Sequence, residues 1–276
     1  MTMAKLHKLT TRAFGAEPGI PDVVKLTEWI AEHRGTMADL TTYQLYQSLA
    51  PQLAFGIGHP CAGGKFCADR IRASLLGVVG TRATDEIAVQ TDALVEDAAG
   101  IVVQKRNCWC ALPAPHVLGL IDGYYCDDEE WSDALTDAYT TLMRAMREIG
   151  VVGHVLICDK ADEMEFVALA AQKVFFFLPE ADKKGFANLM EHQRQIAVRP
   201  KQLESVFALT DEYDLRKIFI VDADAGAITL ALTHLDPDQV SIGGYCLDNS
   251  EEYWKTSLKL RCIPAEKKDS LKKKDF

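Results

Sequence analysis

The sequence has no long hydrophobic run. No stretch of about 18 consecutive apolar residues occurs, so no transmembrane helix is expected. The opening segment carries lysines and an arginine but no apolar centre, which does not fit a secretory signal. The two absences predict a cytoplasmic protein. Basic charge is also scarce: 30 Lys and Arg face 40 Asp and Glu, a formal charge of −10. Nucleic-acid binding needs a basic stripe to meet phosphates, so it is not expected as the main activity. Several signatures are missing as well. The chain has no G-x-G-x-x-G dinucleotide turn, no G-x-S-x-G elbow, no H-E-x-x-H pair and no C-x-x-C.

What is present describes a globular chain. Its 276 residues are 48% hydrophobic and 25% charged, near the average for folded proteins. That length gives one large domain or two small ones and a core that needs no staple. Eight cysteines are many for a reducing compartment. There such thiols are buried hydrophobes, metal ligands or catalytic groups rather than disulfides.

The pattern along the chain divides it into three parts. Residues 1–114 read as a helical and β-hairpin region, residues 115–264 as a Rossmann-like α/β domain, and residues 265–276 as a charged, disordered tail. In the first part, Leu26, Trp29 and Ile30 line one helix, which Gly35 ends. Thr36 to Asp39 fits a capping box that opens a second helix through Leu40, Tyr43 and Leu49. These amphipathic helices are a candidate homodimer contact. Residues 53–58 read as a strand, residues 66–79 as a helix, and residues 87–95 with 101–103 as a hairpin.

From Val117 onward short apolar strands alternate with helices. The strands fall at 117–121, 155–158, 174–178, 196–198, 218–221 and 240–242. Apolar on both faces, they suit a parallel sheet covered by helices. The count favours an open, doubly wound sheet, with an eight-stranded barrel as the alternative. Residues 254–262 alternate strictly and read as an antiparallel edge strand.

In an open parallel sheet, ligands bind beyond the carboxyl ends of the strands. The acids there become the candidates. Asp159 is placed to take ribose hydroxyls, and Asp122, Gly123 and Tyr124 to line a cofactor pocket. Asp222 and Glu180 are placed to orient substrate or accept a proton. Each Asp is equally suited to cap a helix. With no pyrophosphate turn, S-adenosylmethionine fits better than NAD, so a methyltransferase acting on a small molecule is expected.

The segment from Gly56 to Cys67 offers another chemistry. Its glycines and Lys65 could grip an anion at a strand-to-helix turn. His59, Cys61, Cys67, Cys108 and Cys110 could instead hold zinc or an iron–sulfur cluster, and a thiol near Lys65 could be reactive. A non-catalytic assembly protein is the third possibility. His116 precedes the strand expected at 117–121, which puts it at the opposite end from the candidate site.

Overall fold

The computed structural model describes residues 6–248, 251–257, 259–260 and 262–264. The expected tail at 265–276 lies outside them. Eight parallel strands form the centre: β1 (Thr10–Ala16), β2 (Cys61–Gly63), β3 (Trp109–Pro113), β4 (His154–Ile157), β5 (Val174–Phe177), β6 (Gln195–Val198), β7 (Lys217–Val221) and β8 (Val240–Cys246). They pair as two four-stranded sheets, β2-β3-β4-β5 and β1-β8-β7-β6.

Two seams close these sheets into one barrel. Beside β1, the backbone of His59 accepts from Ala13 N–H at 2.9 Å and donates to Thr11 O at 3.0 Å. Between β5 and β6 the Gln193 side chain serves as a ladder rung. It accepts from Phe176 N–H at 2.8 Å and donates to Phe176 O at 3.0 Å.

The open Rossmann-like sheet is thus corrected to a (β/α)8 barrel. An open sheet would leave β8 at an edge. Here β8 pairs with β7 on one side and, in parallel, with β1 on the other, Ser241 opposite Thr10 and Ile242 opposite Thr11. All seven β8 residues are buried. The expected division at 114/115 falls just after β3, and β1 to β3 belong to the same barrel as the later strands.

Helices cover the outside: α1 (Val23–Glu32), α2 (Leu40–Ala54), α3 (Ala68–Ala73), α4 (Asp92–Gln104), α5 (Asp128–Ile149), α6 (Glu163–Leu169), α7 (Lys183–His192), α8 (Leu203–Phe207), α9 (Ala225–His234) and α10 (Glu251–Ser257). Their starts follow the chemistry of short polar side chains. Asp22, Asp39, Asp127, Asp162, Asp182 and Asp224 each accept a backbone N–H of the first turn. The capping box of α2 is formed by Asp39 and Thr42 rather than by Thr36 and Asp39. No described helix is long and apolar enough to cross a membrane.

Other expected elements shift. Residues 53–58 are the end of α2 and a loop, and residues 117–121 are a short 3-10 turn and loop. The real hairpin is Leu75–Val79 with Arg82–Val89. Residues 92–104 are helical because Leu94, Ala98 and Ile101 recur at helical spacing and bury one stripe. Of the strand expected at 254–262, residues 254–257 lie in α10, where Trp254 alone is buried, tight under Gly244. Leu258 and Arg261 lie outside the described residues.

The barrel interior is packed with rings, as small barrels require. Phe14 stacks on Phe177 at 5.1 Å, and Phe175 and Phe219 complete the cluster. Toward the amino end, the Arg12 guanidinium sits 4.2 Å from the Trp109 ring centroid and 4.5 Å from that of Phe175. Burial lowers its pKa to about 10, so it stays charged at neutral pH. The outward strand faces, Leu112, Leu156, Phe176 and Ile220 among them, meet the helices in a second core layer.

The short strand β2 depends on α2. Fully buried Gln52 accepts from Cys61 N–H at 2.8 Å and donates to Cys61 O at 2.7 Å. Ser48 Oγ accepts from Gly63 N–H at 2.9 Å. Gln52→Ala orphans both polar groups of Cys61. It is expected to cost about 2–4 kcal/mol, read as a lower urea midpoint with an unchanged m value.

Candidate functional site

The carboxyl ends of the eight strands form one rim, where (β/α)8 enzymes carry their chemistry. Directly after β1, Glu17 reaches across the mouth. Its Oε1 accepts from Lys65 N–H at 2.7 Å and from the Tyr245 hydroxyl. The anion gripped by the Gly64-Lys65 turn is therefore the protein's own carboxylate. Gly64 must be glycine here, because a Cβ would lie 2.3 Å from Ala16 O and 2.7 Å from Glu17 Oε1. Gly64→Ala should push Glu17 off the turn at a cost of about 2 kcal/mol, seen as a lower thermal midpoint.

The densest cluster follows β3 and β4. Pro115 opens a 3-10 turn over Pro115–Leu118, and Gly119 closes it with a positive φ of 64°. That turn presents His116 inward. Glu165, on α6, clamps it from one side: Oε1 accepts from His116 N–H at 2.7 Å, and Oε2 lies 2.8 Å from Nδ1. A carboxylate only accepts, so Nδ1 carries the hydrogen and a neutral ring keeps its lone pair on Nε2. The His116 and Glu165 side chains are 9% and 6% exposed.

Nε2 is buried and has no hydrogen-bond partner. Asp159 Oδ1 stands 2.9 Å from it without hydrogen-bond alignment. His116, Asp162 and Glu165 each offer a ligand atom within 4.8 Å of the other two. His116 was expected at the wrong end of the sheet. The strand before it is 109–113, not the expected 117–121, so it stands on the carboxyl rim.

The other candidates each have partners of their own. Asp159 does follow β4, and its described partner is His116. Asp122 folds its own loop, accepting from the N–H groups of Tyr124, Tyr125 and Cys126, and these bonds hold its pKa below the usual carboxylate range. Gly123 is wedged against Arg82 and Ala83 of the hairpin, and Tyr124 is exposed, edge-on to Tyr125. Glu180 bonds Lys201 at 2.8 Å and lies 3.5 Å from Arg199. The Lys201 hydrogen bond, with Arg199 nearby, keeps Glu180 ionised to lower pH than usual. Asp222 takes a positive φ of 56° and accepts from the Tyr253 hydroxyl at 2.5 Å. That hydroxyl also accepts from Tyr245 N–H at 2.8 Å, which ties α10 to the rim.

Strand alternation turns Cys61 away from Cys108 and Cys110. Cys61 faces the interior cluster, whereas Cys67, Cys108 and Cys110 lie in the outer core. Burial raises the thiol pKa of Cys67 to about 12 and of Cys108 to about 11, and raises Cys61 and Cys110 well above the ordinary value. They are protonated thiols, not reactive ones. His59 sits at the opposite, amino-terminal end of β2. Among the described residues, the metal-capable groups are His116–Asp162–Glu165 and the surface set Glu163–Glu191–His192, and neither contains a cysteine. The expected cysteine-ligated zinc or iron–sulfur site is thus not assembled by these residues.

No protein-family model matches the chain, and no curated protein sequence does. Solved structures do. A Listeria monocytogenes protein described as a vitamin-B12-independent methionine synthase superposes with a TM-score of 0.59 at 15% identity, over 92% of this chain and 94% of that one. A B12-independent methionine synthase from a Shewanella species, in complex with selenomethionine, gives 0.54 at 15%, over 91% and 94%. A methyltransferase from Methanosarcina mazei gives 0.54 at 9%, over 91% and 92%. The chain has the barrel fold of these methyltransferases along nearly its whole length.

Proposed function

We propose that the chain is a methyltransferase acting on a small thiol at the carboxyl rim, with a divalent metal, zinc foremost, held beside His116. The observation that carries this reading is the buried Nε2 of His116, without a hydrogen-bond partner and with the Asp159 carboxylate 2.9 Å away. The donor set fits zinc, which takes imidazole nitrogen and carboxylate oxygen. A carboxylate on the far ring nitrogen is the arrangement that orients metal-binding histidines, and Glu165 supplies it. His116 Nε2 and Asp159 would hold the ion, and Glu165 would fix the ring. Bound there, zinc supplies a Lewis acid that stabilises a thiolate at neutral pH.

A thiol acceptor is supported by the similar methionine synthases, one of them holding selenomethionine. Across the rim, Arg199 has a buried Nε without a partner and stands beside Lys201 and Glu180. That cationic pair suits the carboxylate of an amino-acid-like acceptor. S-adenosylmethionine was expected from an open sheet, and the barrel removes that basis, so the methyl donor is left to assay. Calorimetry in buffers of different ionisation enthalpy tests the reading. Homocysteine binding to the zinc-loaded chain should release about one proton at pH 7, because a bound thiolate has lost its proton. Binding with no proton release would refute the thiolate.

A further inference from the structure

Outside the barrel wall, helices α1, α2 and α4 bound a cavity of about 660 Å³. That volume lies within the range of small-molecule sites. No residue of the rim cluster lines it. Its walls are mainly apolar and aromatic, with Trp29, Met37, Leu45, Tyr46 and Ile101 among them. Trp29 is held rigidly for a contact surface, stacked on His33 at 4.1 Å and edge-on to Tyr43 at 5.6 Å.

Two polar atoms of lining residues are buried without partners: Oδ1 of Asp97, an acceptor, and Nε1 of Trp29, a donor. The Asp97 side chain is 2% exposed. Its Oδ2 accepts from Arg70 Nε at 2.9 Å, but Arg70 spends Nη2 on Asp39, at 2.7 and 2.9 Å. That guanidinium is therefore shared between two carboxylates, and Glu96 adds a third acid to the lining. An orphaned buried carboxylate oxygen is rare in a folded interior and costs about 1–3 kcal/mol or more. The acid excess selects a positively charged donor to satisfy it.

We propose that this cavity is a binding site for a small primary amine with an aromatic or apolar body. The ammonium donates to Asp97 Oδ1, and the body packs on Trp29, Met37 and Tyr46. A ligand oxygen accepting from Trp29 Nε1 would complete the match. The site is independent of the rim and of any reaction there.

The test is calorimetric titration of the whole chain with 2-phenylethylamine, beside 3-phenylpropionate as the anionic analogue of the same shape. The amine is expected to bind at least tenfold more tightly than the acid. Asp97→Asn should weaken the amine at least tenfold while leaving the acid unchanged or improved. Gly100 lines the cavity within α4, and a Cβ on it meets nothing within 4 Å. Gly100→Phe therefore adds a ring at the cavity wall without a backbone clash, and it decides the matter should Asp97→Asn fail to fold. It should abolish amine binding and keep the wild-type thermal midpoint or raise it. Equal affinity for amine and acid, no amine binding by the wild type, or unchanged amine binding in Gly100→Phe would each overturn the proposal.

Discussion

Between pH 6.5 and 3 the chain is expected to lose about 5 kcal/mol of folding stability through a single imidazole. His154 opens β4 and faces outward, like Leu156 and unlike the inward Val155 and Ile157. It is fully buried, and neither ring nitrogen has a hydrogen-bond partner. Desolvation, helped by the charge of Arg147, lowers its pKa from 6.5 to about 3. Below pH 6.5 the unfolded chain binds a proton there and the folded chain does not. Stability contributed by the neutral ring is thus complete above pH 6.5. It falls by about 1.4 kcal/mol per pH unit down to the folded pKa. His154→Leu removes the titration and the two orphaned nitrogens together. Urea unfolding at pH 7, 5.5 and 4.5 should show the variant's advantage growing as pH falls. An advantage independent of pH would mean that His154 is protonated or partnered in the folded state.

His116→Ala should lower zinc affinity and methyl transfer by at least about 100-fold while leaving the thermal midpoint of the metal-free chain nearly unchanged. The ring is the sole nitrogen donor in the cluster, and the carboxylates alone are a harder, weaker set for zinc. Glu165→Gln separates ligation from orientation. The amide retains the size of the carboxylate but weakens the hold on Nδ1, so affinity should fall by about 10- to 100-fold rather than vanish. Glu165 also accepts from the His116 backbone N–H, so part of any loss will appear as a looser 3-10 turn. Equal metal affinity in His116→Ala and the wild type would place the ion elsewhere.

The second half of the barrel was legible because its strands are what parallel sheets demand. Phe175 to Phe177 and Ile218 to Val221 are continuous, bulky and apolar, and each is followed by an aspartate-capped helix. The first half was not. β1 reads Thr-Thr-Arg-Ala-Phe-Gly-Ala, with an arginine in third place and a glycine at φ 104°. It becomes a strand through the hydrogen bonds of β8 and the backbone of His59, neither visible locally. β2 is three residues long and depends on Gln52 and Ser48 of a preceding helix. β3 ends in proline, and the apolar residues 117–121 beyond it drew the strand prediction away. With these three strands unseen, an open sheet was the economical answer. The same slip hid His116, since its end of the barrel was decided by which neighbour was the strand. A shorter signal was available: Ala114-Pro115 directly after Trp109 to Pro113 marks a strand end.

Zinc stoichiometry of the intact chain, with the ion located by anomalous scattering, tests the central claim most directly. One zinc per chain is predicted beside His116 Nε2, with Asp159 as its carboxylate neighbour, and none in His116→Ala. A wild type that transfers methyl groups at full rate without metal, its His116 an imidazolium clamped between Asp159 and Glu165, would contradict it.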